Sequence, residues 1–307
     1  MRNQVLYGLQ NIGNTCFLNA VLHLIKHIDI IMYELICRES DNEFVLKIAL
    51  FYRVLFNRSL GRNELISFHR FLSKHIILEN IPIQGDSNEV LISLISKLTD
   101  YNKTLDRVLR STVINEVTCN NCGNISRTKN NSYCLNYTVP QNKGDIIDLR
   151  KLINIYSENN ELFGDNSYKC EKCNKLTNAT KCSKINKYAH ILIMNIDRHI
   201  HNINGNSKNS SKISFKKNML LNNRTYYLIG TIYHLGNSMS SGHYICKVYD
   251  FNSYKWYIYN DSNVSVIEEK IEEISNNNYS HIYISDKMYN LCNGKIKESL
   301  IKKKWGK

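Results

Sequence analysis

The sequence predicts an α+β fold in three parts: a helical N-terminal lobe, a strand-rich C-terminal lobe, and a cysteine-bearing β insertion between them. Three observations carry this. Apolar residues recur at helical spacing through the first hundred positions. After about residue 108 the segments alternate and become rich in β-branched and aromatic residues. Two Cys-x-x-Cys pairs, Cys119/Cys122 and Cys170/Cys173, lie within that middle stretch. At 307 residues the chain has room for one enzyme-sized domain carrying such an insertion.

Residues 17–28 place Leu18, Val21, Leu22 and Ile25 one turn apart, which predicts a helix. Residues 43–57 and 64–78 also read as amphipathic helices. So does 86–98, with Asp86 or Ser87 as N-cap and Glu89 in the first turn. The helical lobe is expected over 1–108 and the insertion over 109–187, with strands at 112–118 and 132–139. The β-rich lobe, 188–286, is expected to hold strands at 188–196, 226–233, 243–249 and 254–259. The stretch 200–212 is polar, contains Gly205, and reads as a mobile loop, while 287–307 reads as a basic tail.

Apolar residues make up 43% and charged residues 22%, the proportions of an ordinary globular chain. A formal charge of +13 raises contact with nucleic acid or an anionic membrane, but the lysines are scattered. No apolar run reaches the roughly 20 residues of a membrane helix, and the first sixteen residues lack a secretory core. The expectation is a monomeric cytoplasmic or nuclear protein that binds neither membrane nor nucleic acid. In a reducing compartment its ten cysteines are expected in metal binding, catalysis or packing.

Cys16 follows a loop containing Gly13 and is expected to begin a helix. A cysteine at a helix N-terminus feels the positive end of the backbone dipoles, which favours the thiolate. Backbone N–H groups there, with the Asn11 side-chain amide, could hold a developing oxyanion. The nucleophile then needs an imidazole near neutral pKa. Gly242-His243-Tyr244 opens a predicted strand, and only this histidine has those flanking residues. Asn260 or Asp261, at the end of the next strand, stands where it could orient His243. Cys119, Cys122, Cys170 and Cys173 make two knuckles, and four thiolates from two knuckles form the closed tetrahedral site of structural zinc. Gly123 allows the tight turn of the first knuckle. Cys134 and Cys182 are left to packing.

Gly8-Leu9, Asn11, Gly13-Asn14-Thr15-Cys16, Asn19 and Leu22 together resemble the cysteine box of the ubiquitin-specific proteases, papain-like deubiquitinating enzymes. Phe17 stands where that family usually has tyrosine. Gly242-His243-Tyr244, then Trp256 and Asn260-Asp261, resemble its histidine box. Residues 84–91 resemble its acidic helix start, with Gly85 and Val90 departing from it. Residues 191–199 resemble a strand ending in Lys-Arg-Phe, of which Arg198 is kept while Asp197 and His199 differ. The resemblance runs from Gly8 to about Ile284.

The resemblance implies a papain-like fold with a helical thumb, a β-rich palm and zinc-bearing fingers that grip ubiquitin. It implies Cys16 as nucleophile, His243 as base, Asn260 as the third triad member and Asp261 as support for the oxyanion site. The loops at 200–212 and 235–242 would border the groove for the ubiquitin tail. Hydrolysis of the isopeptide bond after the C-terminal glycine of ubiquitin follows as the expected activity, with ubiquitin and ubiquitinated proteins as partners. Alternatives are a protease for a ubiquitin-like modifier, a silent ubiquitin-binding module, and a zinc-dependent nucleic-acid binder.

Overall fold

The computed structural model describes residues 6–141, 146–202, 205–238, 241–268 and 274–305. Six helices come first: α1 (Cys16–Lys26), α2 (Asp29–Ile36), α3 (Glu43–Asn57), α4 (Arg62–Leu72), α5 (Ser87–Tyr101) and α6 (Lys103–Leu109). Every residue of α1 is buried, so this helix is the axis around which the others pack. Side-chain caps start three of them. Asn42 accepts from the Val45 N–H at 3.1 Å, Asp86 from Asn88 at 2.6 Å, and Asn102 from Leu105 at 2.9 Å.

The expected helix at 64–78 ends earlier, at Leu72, where Ser73 to Ile76 close a turn back onto α4. Neither α2 nor α6 was expected. Helix α2 buries nearly all its residues and so shows no amphipathic period, and α6 has two turns.

A four-stranded antiparallel sheet follows, in the order β2-β1-β8-β5: β1 (Ser111–Cys119), β2 (Ile125–Ser132), β8 (Ala179–Lys187) and β5 (Asn160–Leu162). It leads to a small hairpin of β6 (Tyr168–Cys170) and β7 (Lys175–Thr177). Helix α7 (Leu149–Tyr156) precedes β5, and β4 (Ile147–Asp148) leads into it.

The central sheet has eight strands. Its path is β17 (Asn263–Ile267), β16 (Lys255–Asn260), β15 (His243–Asp250), β14 (Arg224–Leu235), β19 (Asn278–Ser285), β9 (Ile191–Asp197) and β3 (Cys134–Thr138), with β13 (Asn218–Leu221) beside β14. Both faces are covered. Ile191 and Ile193 face the helical core with Ile282 and Ile284, whereas Leu192, Met194 and Tyr283 face a second core with α7. Two-sided burial explains the unbroken apolar run of β9.

Two expectations need correction. Residues 200–212, read as a mobile loop, mostly belong to a hairpin of β10 (His199–Asn202) and β11 (Gly205–Lys208), with 203–204 outside the described residues, and β12 (Ile213–Ser214) follows. Strand β12 pairs with β18 (Ile274–Ser275) and β4. The basic tail is helical: α8 (Asp286–Leu291) and α9 (Lys297–Trp305) are joined by a kinked turn. Met288, Cys292, Ile296 and Leu300 are buried at four-residue spacing, and α9 packs on α2. No single described helix is long and apolar enough to cross a membrane.

Candidate active site

The chain reaches Cys16 through a turn that the backbone of most residues would resist. Gly13 has φ +129° and Asn14 has φ +54°. The Asn11 side-chain oxygen holds this turn, accepting from the Gly13 and Thr15 N–H groups at 3.1 Å each. Thr15 Oγ accepts from Ile12 at 3.1 Å, and Asn14 donates to the Pro82 carbonyl at 2.8 Å. Two sequence departures turn out to be one feature. A side chain at Gly85 would meet the Phe17 ring at 2.8 Å, so Phe17 and Gly85 fit each other.

Cys16 is the first residue of α1 and is 2% exposed. Helix α1 packs on β15, and the Tyr244 backbone N–H faces the Cys16 sulfur. The helix-end N–H groups favour the thiolate as expected, but burial outweighs them. Burial pushes the thiol above its ordinary value, and the charge of Asp261 adds to this. The N–H groups of Tyr244 and Phe17 oppose the rise without cancelling it.

His243 opens β15 and Asn260 closes β16, and the antiparallel register brings these two ends together. His243 Nε2 donates to the Asn260 side-chain oxygen at 2.7 Å, which leaves Nδ1 as the ring's acceptor. Asp261 does not orient His243. With φ +51°, it turns away and accepts from Asn11 Nδ2 at 3.1 Å and from Asn19 Nδ2 at 2.8 Å. Its carbonyl accepts from the Leu9 N–H at 3.0 Å, and the chain passes so close that a side chain at Gly8 would meet that oxygen at 2.5 Å. The five residues selected from sequence therefore meet in one place. Asn11 and Asp261 bridge the start of the chain to the β16–β17 turn, beside Asn260 and His243.

Behind this site, Asp86 caps α5 with one oxygen and accepts the Tyr279 hydroxyl with the other. That bond ties the helical lobe to β19. Lys208 also borders the site: its ammonium donates to the carbonyls of His234 at 2.6 Å and Gly236 at 2.8 Å. Neither contact had a sequence signal, because each joins residues far apart in the chain.

Cys119 ends β1 and Cys170 ends β6, while Cys122 and Cys173 sit in the turns that follow. Gly123 at φ +66° and Asn174 at φ +53° close those turns. All four Sγ atoms lie within 4.8 Å of one another. Cys119 to Cys173 is 3.9 Å, and Cys122 to Cys170 is 3.7 Å. A tetrahedral zinc with Zn–S bonds of about 2.3 Å has its sulfurs roughly 3.8 Å apart, so the residues fit that ion. The thiols compete for charge. The Thr177 hydroxyl helps draw Cys119 down to about 6. Cys122, against the lowering Asn124 N–H, is driven up to about 12 by the neighbouring sulfurs. Cys134 and Cys182 stand apart, facing Asn88 at 3.6 Å and the Ser157 carbonyl at 3.4 Å.

Curated relatives include ubiquitin carboxyl-terminal hydrolase 26 of Oryza sativa subsp. japonica, 25% identical over 281 residues. That alignment covers 84% of this chain and 26% of the relative. Ubiquitin carboxyl-terminal hydrolase 12 of Salmo salar is 25% identical over 322 residues, covering 88% of this chain and 84% of the relative. The chain thus spans about a quarter of the rice relative's length and most of the salmon one's.

Among solved structures, the SAGA Ubp8/Sgf11/Sus1/Sgf73 DUB module bound to ubiquitin aldehyde matches with a TM-score of 0.73 at 22% identity. The match covers 92% of this chain and 70% of that one and shows a shared fold. The family described as ubiquitin carboxyl-terminal hydrolase matches residues 7–285. That match takes in the Cys16 turn, the four-cysteine cluster and the β15–β16 pair, and the chain belongs to the ubiquitin carboxyl-terminal hydrolase family.

Proposed function

We propose that this chain is a thiol-dependent deubiquitinase that hydrolyses the isopeptide bond after the C-terminal glycine of ubiquitin. The observation that carries the reading is the pairing of His243 with Asn260 at 2.7 Å on the strand whose next N–H faces the Cys16 sulfur. Family membership and a ubiquitin-bound structural relative support ubiquitin as the partner.

In this reading the neutral, buried thiol of Cys16 gives its proton to His243 Nδ1 as it attacks the scissile carbonyl. Asn260 keeps the Nε2 proton in place and so leaves Nδ1 as the base. The oxyanion is held by the Cys16 backbone N–H and by the Asn11 amide hydrogen that Asp261 does not take. Imidazolium then protonates the leaving amine. A thioester to ubiquitin remains, and water deprotonated by His243 releases it. Asp261 and Asn19 fix the Asn11 amide so that it need not reorient as charge develops.

The four cysteines would hold a structural zinc, which ties the β1–β2 turn to the β6–β7 turn. They lie outside the reacting groups. The test is hydrolysis of ubiquitin carrying a fluorogenic amide at its C-terminus. Native protein is expected to release the fluorophore, Cys16→Ala to release none, and Asn11→Ala to be slower by about a hundredfold. Full activity in Cys16→Ala would overturn the assignment.

A further inference from the structure

Two cations at the ends of the β10–β11 hairpin have no carboxylate partner among the described residues. Arg198 is fully buried, just before β10. It donates from Nε to the Asn278 carbonyl at 2.9 Å and from Nη1 to the carbonyls of Asn209 at 2.9 Å and Ser211 at 2.8 Å. Nη2 reaches the Ser275 carbonyl at 3.4 Å and the Asn278 side chain. Lys208 ends the same hairpin, opposite His199 in register. Its ammonium donates to the carbonyls of His234 at 2.6 Å and Gly236 at 2.8 Å and to Asn277 Oδ1 at 3.0 Å. An ammonium has three donors, and all three are used.

Those acceptors define a location. His234 and Gly236 flank Leu235, which pairs directly with His243. The other side of the same strand end is held by the His234 N–H, which donates to the Asn277 carbonyl at 2.8 Å. The described ends of the segment that leads to His243 lie against each other. Gly236 has φ +131°, and a side chain at Gly242 would meet the Leu235 carbonyl at 2.4 Å and His234 Nε2 at 2.5 Å. A displacement at His234 to Gly236 is therefore passed to His243 with little slack. Resting on the reading of His243 as the base, we propose that Lys208 is a positioning residue that fixes the strand end from which His243 is presented.

The charges facing Lys208 bear on how the contact responds to pH. Arg198 lies on the same side, His234 is buried and neutral, and His199 is paired with Asp197 at 2.9 Å. Burial and the Arg198 charge bring the Lys208 ammonium down to about 8. Above that pH the neutral amine keeps two donors for three acceptors, and one carbonyl is released.

The test compares native protein with Lys208→Met on ubiquitin carrying a fluorogenic C-terminal amide, together with amide hydrogen exchange. In Lys208→Met, kcat is expected to fall about tenfold with KM within twofold, since a misplaced base loses rate rather than binding. The native kcat should decline as pH rises through 8, and that part of the decline should be absent from the variant. Exchange at Leu235 and at His243 to Ile245 should quicken at least tenfold, with Ile282 to Ile284 unchanged. An unchanged kcat, a loss confined to KM, or unaltered exchange at His243 would overturn the proposal. If Lys208→Met does not fold, Lys208→Arg carries the test, with a kcat-only loss of about threefold expected and an unchanged kcat overturning it. Exchange needs no ubiquitin, so native protein inert toward the substrate would count against the deubiquitinase reading alone.

Discussion

Cys16 is shielded more than it is activated. It starts a helix, yet burial and the negative Asp261 raise its pKa, so at neutral pH the resting group is the thiol. Ionisation then depends on His243 taking the proton. The sign gives a prediction. In His243→Ala the thiolate fraction at pH 7 should drop, and alkylation of Cys16 by iodoacetamide should slow at least tenfold, recovering only above pH 9. Mass spectrometry of the peptide carrying Cys16 measures this, and an unchanged rate at pH 7 would mean that the helix end alone ionises the thiol.

Legibility at this scale follows chain distance. Cys16, His243 and Asn260 could be singled out because each sits in a short, distinctive run of residues. For Asp261 the residues left open whether it or Asn260 faces His243, and with φ +51° it accepts from Asn11 and Asn19 instead. Lys208 and the Asp86–Tyr279 bond were not readable, since the register of strands distant in the chain creates them.

Among the elements, those with a strong period were found nearly whole. Residues 43–57 coincide with α3, and the strands at 243–249 and 254–259 lie within a residue of β15 and β16. The β10–β11 hairpin was missed because Asn, Ser and Gly carry no strand pattern. Arg198 and Lys208 anchor its two ends on carbonyl oxygens instead. Helix α2 was missed for the opposite reason, being apolar on nearly every side.

The cysteine cluster was legible as spacing, and the structure adds the edge lengths that fit zinc. The short β6–β7 hairpin and β5 bury little apolar surface, so the metal is expected to hold them. Cys170→Ser should release about one equivalent of zinc to a chromogenic chelator. It should also speed exchange at β5 to β8 at least tenfold while leaving β9 and β19 protected. Zinc released with exchange unchanged would show that the knuckles fold without it.

Across the whole molecule, α1 is the element on which everything converges. It begins with Cys16, is buried along its length, and lies on the strand that presents His243. The helical lobe supplies the thiol and Asn11, and the β-rich lobe supplies His243, Asn260 and Asp261. The Asp86–Tyr279 bond and the Asn11–Asp261 bond cross between the two lobes. The last helices close the far side, with α9 against α2, Leu300 buried, and Lys297 donating to the Phe251 carbonyl at 2.7 Å. That clasp was hidden in the sequence because its buried residues are only every fourth one in a lysine-rich segment.

The central claim is that these convergent parts make a ubiquitin-directed thiol nucleophile of Cys16. The most direct measurement mixes the protein with ubiquitin bearing a thiol-reactive electrophile at its C-terminus and maps the adduct. The account predicts one ubiquitin added per chain, on Cys16, with no adduct in Cys16→Ala. No adduct on native protein, or an adduct on another of the ten cysteines that persists in Cys16→Ala, would contradict it.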